Sequence, residues 1–203
     1  MYVRTVYATG DPALLEDSLD ALRGESVELL SAQPGYRGYG LFANRALGTL
    51  TMGSWWDSPE HEAASDTALA DRRDTLLVPF AATVAVNRWD VVAAEPGPAV
   101  ENGGFRLTRF AYDAAGLDGV VKGFEESGLP AIREIDGYVG AAMLIDRGRS
   151  VGVVGTIFAD RGAFEASRGA QAAVRGAASK ASGTVIYGME EFDVVLLHRP
   201  SEG

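Results

Sequence analysis

Five side chains stand out for the chemistry they could perform: Arg4, Tyr36, Trp56, Asn87 and Arg106. A buried arginine can pair with an enolate or carboxylate of a bound molecule, or close an ion pair with a carboxylate of the protein itself. Tyr36 follows a proline-glycine turn, where a tyrosine serves as a pocket donor or closes a hydrophobic corner. Trp55 and Trp56 are neighbours in an extended run, so they point to opposite faces. By the same alternation Asn87 shares a face with Trp89, and Arg88 lies opposite. His61, flanked by Glu60 and Glu62, shows no acid-base partner and reads as a solvated helix residue, while His198 falls near the end. No metal-binding cluster is visible, and no catalytic residue is assigned.

Composition narrows the classes of function. The 203 residues carry 28 acidic against 18 basic side chains, a formal net charge of −10, which opposes binding to nucleic acid or to an anionic membrane surface. The absence of cysteine excludes disulfides, thiolate nucleophiles and cysteine metal sites. The first residues enter an alternating pattern without a basic, apolar leader, and no run approaches the ~20 apolar residues of a membrane span. A cytoplasmic protein is the expectation.

The stretch PGYRGYG (34–40) returns as DGYVGAA (136–142), an offset of 138 − 36 = 102 between the tyrosines. At that offset Arg4 meets Arg106, Asp11 meets Asp113, Leu15 meets Leu117, Arg45 meets Arg147, and Ala64-Ser65 meets Ala166-Ser167. One inserted residue brings WDVV (89–92) onto FDVV (192–195). The order of matches indicates a tandem repeat: residues 1–94, a proline- and glycine-rich linker at 95–103, and residues 104–203.

Within the first repeat VRTVYA reads as a strand. Asp11-Pro12 supplies a cap and first turn, and Leu15, Leu19, Leu22 and Leu29-Leu30 mark one face of a helix. Two strands follow, joined near Ala46–Gly48, then a helix opened by Ser58-Pro59, then the strand TVAVNRWDVV. The order β-α-β-β-α-β is the ferredoxin-like unit, with both helices on one sheet face. An uncovered second face would leave a large apolar patch, so the expected fold is α+β: two tandem ferredoxin-like repeats packed sheet to sheet as an intramolecular barrel. If Val3 and Phe105 face the helices, Arg4 and Arg106 face the barrel interior.

GYRGYGLF, the strand ending in SWWDSPE, and WDVV together resemble the dimeric α/β barrel superfamily, and most closely its antibiotic biosynthesis monooxygenase (ABM)-like group. The matching residues are Pro34-Gly35, Trp56, Asp57, Ser58 and Glu60; the second repeat has Phe158-Ala159-Asp160-Arg161-Gly162 at the corresponding place. The resemblance implies an intramolecular pseudo-dimer, with further homodimerisation left open, and a small apolar or aromatic molecule as partner. It points to a cofactor-independent monooxygenase of an aromatic or quinonoid substrate, or to a non-catalytic ligand-binding or purely structural barrel, with no cofactor or metal in either case. It favours Trp56 toward the cavity, with Arg4, Arg106, Tyr36 and Asn87 as substrate-binding candidates. The haem-degrading branch is disfavoured: neither first strand holds an asparagine, and the family spacing on the second helices reaches Ser65 and Ser167 rather than a ligand. All three tryptophans and His61 lie in the first repeat, so a pocket is sought there.

Overall fold

A computed structural model describes residues 1–100 and 102–200. The strands are β1 (Tyr2–Gly10), β2 (Tyr36–Asn44), β3 (Thr49–Trp56), β4 (Ala81–Glu95), β5 (Gly104–Ala111), β6 (Tyr138–Asp146), β7 (Val151–Phe158) and β8 (Val185–His198). The helices are α1 (Leu15–Ser31), α2 (Pro59–Leu77), α3 (Leu117–Gly123), α4 (Leu129–Arg133), α5 (Arg161–Ala166) and α6 (Arg168–Ser182). In hydrogen-bonded order the strands run β1-β3-β2-β8-β5-β7-β6-β4 and close into an eight-stranded barrel. The α+β class and the barrel expected from the sequence are thus both present, on the β-α-β-β-α-β order. No helix among the described residues is long and apolar enough to cross a membrane.

The chain forms two compact units, Met1–Trp89 with the chain from Phe192 onward, and Asp90–Glu191. These units differ from the contiguous ranges 1–94 and 104–203. The reason lies in the two long strands: β8 pairs with β2 from Asp193 to His198, and β4 pairs with β6 from Asp90 to Glu95.

In the first unit β3 is the central strand, antiparallel to β1 (Arg4 opposite Ser54) and to β2 (Tyr39 opposite Ser54). One sheet face, carrying Val6, Ala8, Tyr39, Leu41, Leu50, Met52 and Trp56, packs on Leu15, Leu19, Leu22 and Leu30 of α1 and Leu76 and Leu77 of α2. The caps are those the sequence suggests. Asp11 accepts from the Ala13 amide at 2.9 Å across a short 3₁₀ turn that leads into α1, and Ser58 accepts from the His61 amide at 3.1 Å at the start of α2.

The second unit repeats the plan around β7, flanked by β5 and β6. β6 and β7 begin 102 residues after β2 and β3 and match them in length. The counterpart of α1 is interrupted: α3 passes through a π turn, Phe124–Gly128, before α4. Pro130 explains the break, because its nitrogen cannot donate to the preceding turn. Both Gly-Tyr turns adopt the same backbone, with φ of +76° at Gly35 and at Gly137, a conformation that costs any residue with a Cβ. Each turn carbonyl accepts an amide from beyond the following hairpin, Asp57 at 2.9 Å and Ala159 at 2.8 Å.

Candidate functional site

A cavity of ≈ 60 Å³ lies in the first unit between the sheet and helices α1 and α2. That is several times the ~10–15 Å³ one water requires. Its apolar wall is built by Val6 of β1, Met52 of β3, Leu22 and Leu30 of α1, and Leu69 and Leu76 of α2. They gather here because each is the inward member of its element's period, two in the strands and 3.6 in the helices. The polar wall is Arg4, Ser26, Tyr39, Ser54, Arg72 and Arg73.

Arg4 therefore faces the helices, opposite to the orientation expected from Val3. Arg4, Val6 and Ala8 share one face of β1, and α2 supplies carboxylates on that side. The Arg4 guanidinium Nη1 donates to the Glu62 carbonyl at 3.1 Å, to Glu62 Oε1 at 3.3 Å and to Ser65 Oγ at 2.9 Å. Asp66 Oδ1 is 3.6 Å away. Burial lowers the arginine's pKa, and the Asp66 and Glu62 charges work against that shift. Glu62 and Asp66 lie one helical turn apart, and both also receive Arg88 of β4, at 2.8 and 2.5 Å. Arg73 donates to Asp66 as well. Burial alone would raise the Asp66 carboxyl, but the Arg73 hydrogen bond and the Arg4, Arg73 and Arg88 charges hold it below the ordinary value.

Two polar groups of the wall are buried without a well-formed hydrogen bond. The Tyr39 hydroxyl, on a side chain only 2% exposed, has no hydrogen bond. Burial pushes its phenol far above the ordinary range, and the interaction with the Ser26 side chain works against that shift. The Arg73 Nε–H is also buried without a well-formed hydrogen bond, and Nε itself lies 3.4 Å from the Asp74 carboxylate Oδ1. At the rim Arg72 of α2 pairs with Glu25 of α1, Nε to Oε2 at 2.9 Å.

Of the residues expected to bind substrate, Arg4 alone lines this cavity. Trp56 lies beside it, completely buried: its indole Nε1 donates to Ser54 Oγ at 3.0 Å, and the Arg4 guanidinium lies 5.5 Å from its ring centre. Tyr36 closes the corner, edge-on to Trp56 at 5.9 Å and 3.0 Å from His198 Nδ1 through its hydroxyl. Asn87 lies on the other face of β4 with Trp89, whose indole donates to Thr5 Oγ1 at 2.8 Å. His61 has a partner the sequence did not reveal, Asp57 Oδ1 at 2.7 Å from its Nδ1. Among the described residues no group of three or more His, Asp or Glu side chains is arranged to hold a metal ion.

Arg106 also points toward the helices, and the second unit consumes it. It donates to Ser167 Oγ at 2.9 Å, to the Phe164 carbonyl at 3.1 Å, to Gln171, and to Glu191 Oε1 at 2.8 Å, with its guanidinium 4.6 Å from the Phe164 ring centre. Arg106 is a structural pin. Ala141 stands where the first unit has Tyr39, a difference of 102 in number.

No family model matches the sequence. Two uncharacterised proteins of Mycobacterium tuberculosis are similar to it: one is 24% identical over 199 residues, spanning 98% of this chain and 89% of that protein, and another is 24% identical over 147 residues, spanning 72% and 62%. Among solved structures, a proposed monooxygenase of Lactobacillus acidophilus NCFM superposes with a TM-score of 0.73 at 10% identity, covering 98% of this chain and 95% of that one. An anthrone oxidase-like protein gives 0.69 at 14% identity, covering 99% and 93%. A ferredoxin-fold protein of Listeria monocytogenes, described as related to antibiotic biosynthesis monooxygenases, gives 0.56 at 8% identity, covering 96% and 95%. The fold is ABM-like. These likenesses extend over nearly the whole chain, so the ABM-like fold takes in both units and not the first alone. At these identities the likeness concerns the fold, and the chemistry rests on this chain's own residues.

Proposed function

We propose that the first-unit cavity binds a small aromatic or quinonoid molecule and that an electron-rich phenol or hydroquinone held there reacts directly with dioxygen. The supporting observation is the cavity itself: apolar walls around one buried phenol, Tyr39, whose hydroxyl makes no well-formed hydrogen bond in the protein. In the anthrone type of reaction a ring CH₂ and O₂ give C=O and H₂O, so the substrate is the sole reductant and no resident cofactor enters the balance. The protein's part is to exclude water, orient the ring and offer a hydrogen bond where negative charge gathers. On this reading the tandem repeat carries one ligand site per chain, since Arg106 is consumed by its own unit.

Oxygen uptake with anthrone and single-ring hydroquinones, compared between wild type and Tyr39→Phe, tests the proposal. Turnover that falls at least about tenfold in the variant supports it. A second reading, a barrel that binds such molecules without turning them over, is favoured by the fate of the carboxylates: Glu62 and Asp66 are both engaged by arginines, which leaves neither free as a base. Ring binding with no oxygen uptake from any substrate would select that second reading.

A further inference from the structure

We propose that the ligand of the first-unit cavity is a neutral molecule of a single ring, an un-ionised phenol or hydroquinone rather than an anion, a cation or a fused-ring compound. The proposal rests on the cavity being a ligand site. Four guanidiniums stand at or behind its polar wall, and four carboxylates answer them. Arg4, Arg73 and Arg88 meet Glu62 and Asp66, Asp74 Oδ1 lies 3.4 Å from Arg73 Nε, and Arg72 pairs with Glu25 at the rim. An anion seated here must displace one of those carboxylates or lie buried without a counter-charge, and a cation meets the same obstacle because the carboxylates are already engaged. Tyr39 adds no charge, since burial keeps its phenol un-ionised. A hydroxyl both donates and accepts, so a neutral hydroxyl on the ligand can pair with it in either sense, in place of its contact with Ser26.

Volume sets the upper size. At ≈ 60 Å³ the cavity is smaller than the ~150 Å³ that accommodates one benzene ring in a dry protein interior, so even a single ring is admitted only as the wall yields. Two side chains of the wall can yield: Met52, flexible along its length, and Arg72, whose pair with Glu25 is weak because the two side chains are 44% and 42% exposed. Fused rings would need the helices to part from the sheet, against the packing of Leu15, Leu19 and Leu77. The second unit shows that the repeat itself does not demand an apolar wall. In the places of Val6 and Leu69, 102 residues on, stand Thr108 and Gln171, both buried, and Gln171 accepts from Arg106 and donates to Thr156 Oγ1 at 2.6 Å. The same plan thus holds polar side chains at both places, and the apolar pair of the first unit sets the character of its cavity.

The test titrates the full chain near neutral pH, by ligand-observed NMR, with phenol as the neutral ring, benzoate as the anion, benzylammonium as the cation and 1-naphthol as a neutral molecule of two rings. Phenol should bind at least about tenfold tighter than each of the other three. Asp66→Asn, which leaves the guanidiniums one charge in excess, should tighten benzoate about tenfold while phenol changes less than about twofold, and that phenol binding shows the variant to be folded. Asp74→Asn, at a carboxylate 63% exposed, should move benzoate in the same direction by less. Benzoate or benzylammonium binding the wild type as tightly as phenol, or benzoate affinity unchanged in both variants, would overturn the proposal and leave the cavity reading intact. 1-Naphthol binding as tightly as phenol would overturn it as well, on size. Failure of every probe to bind would overturn both the proposal and the cavity reading.

Discussion

Arg88 and Glu191 each stand one residue before the W/FDVV run of their strand and reach the second helix of their own unit with opposite charge. Arg88 meets Asp66 at 2.5 Å, and Glu191 meets Arg168 at 2.7 Å. The two places should differ in cost when neutralised. Arg88 is 55% exposed, and without it Arg4 keeps Glu62 and Asp66, so Arg88→Gln should cost under ~1 kcal/mol. Glu191 is the carboxylate that Arg106 contacts, and the Arg106 side chain is 1% exposed, so Glu191→Gln should cost about 2–3 kcal/mol. Urea denaturation of the two variants measures both, and equal costs would refute the account.

The Tyr39 hydroxyl is buried without a well-formed hydrogen bond, so its removal forfeits at most its weak contact with Ser26. Tyr39→Phe should leave stability unchanged or raise it by about 1 kcal/mol, the order of the penalty for an unmatched buried hydroxyl. A calorimetric melting temperature below wild type would mean that the hydroxyl has a partner inside the protein.

The elements were legible because their signals are local. Asp11 and Ser58 are caps in sequence and in structure, the α1 leucines face the core, and both Gly-Tyr turns adopt one backbone. The site was less legible. On β1 both alternating sets contain apolar residues, Val3 on one side and Val6 and Ala8 on the other, so period two alone did not fix the direction of Arg4. What fixes it is Glu62, 58 residues away, on a helix whose face the sequence pattern does not mark. Tyr39 escaped notice for a different reason. Simple alternation puts it opposite Tyr36, but the register shifts between Tyr36 and Gly38, and that bulge brings both tyrosines to the helix side. The change from Tyr39 to Ala141 between the repeats was the available signal.

Asp66 gives the cavity wall a dependence on pH. Its folded carboxyl is held below the ordinary carboxylate value, so the unfolded chain binds more protons there. The associated stability is complete above about pH 4, the ordinary aspartate range, and is lost as pH falls through the lower folded value. Asp66→Asn should therefore be less stable than wild type at pH 7, with a gap that narrows on acidification below about pH 4. A gap that stays constant from neutral to acid pH in denaturant titrations would show that the charge of Asp66 contributes nothing.

Gly35 and Gly176 separate backbone demand from helix propensity. At Gly35, φ is +76°, and a Cβ would lie 2.3 Å from both Asp57 Oδ1 and His61 Nδ1, so an alanine must push aside the Asp57–His61 hydrogen bond as well as adopt a left-handed backbone. The backbone term alone is about 1–2 kcal/mol, and with the displaced pair Gly35→Ala should cost roughly 2–4 kcal/mol. Gly176 lies inside α6 with nothing within 4 Å of an added Cβ. There the substitution only removes unfolded-state freedom and improves helix propensity, so Gly176→Ala should gain about 0.5–1 kcal/mol. Thermal denaturation of the two variants should move in opposite directions. A gain at Gly35 would show that the Gly-Tyr turn does not require its left-handed residue.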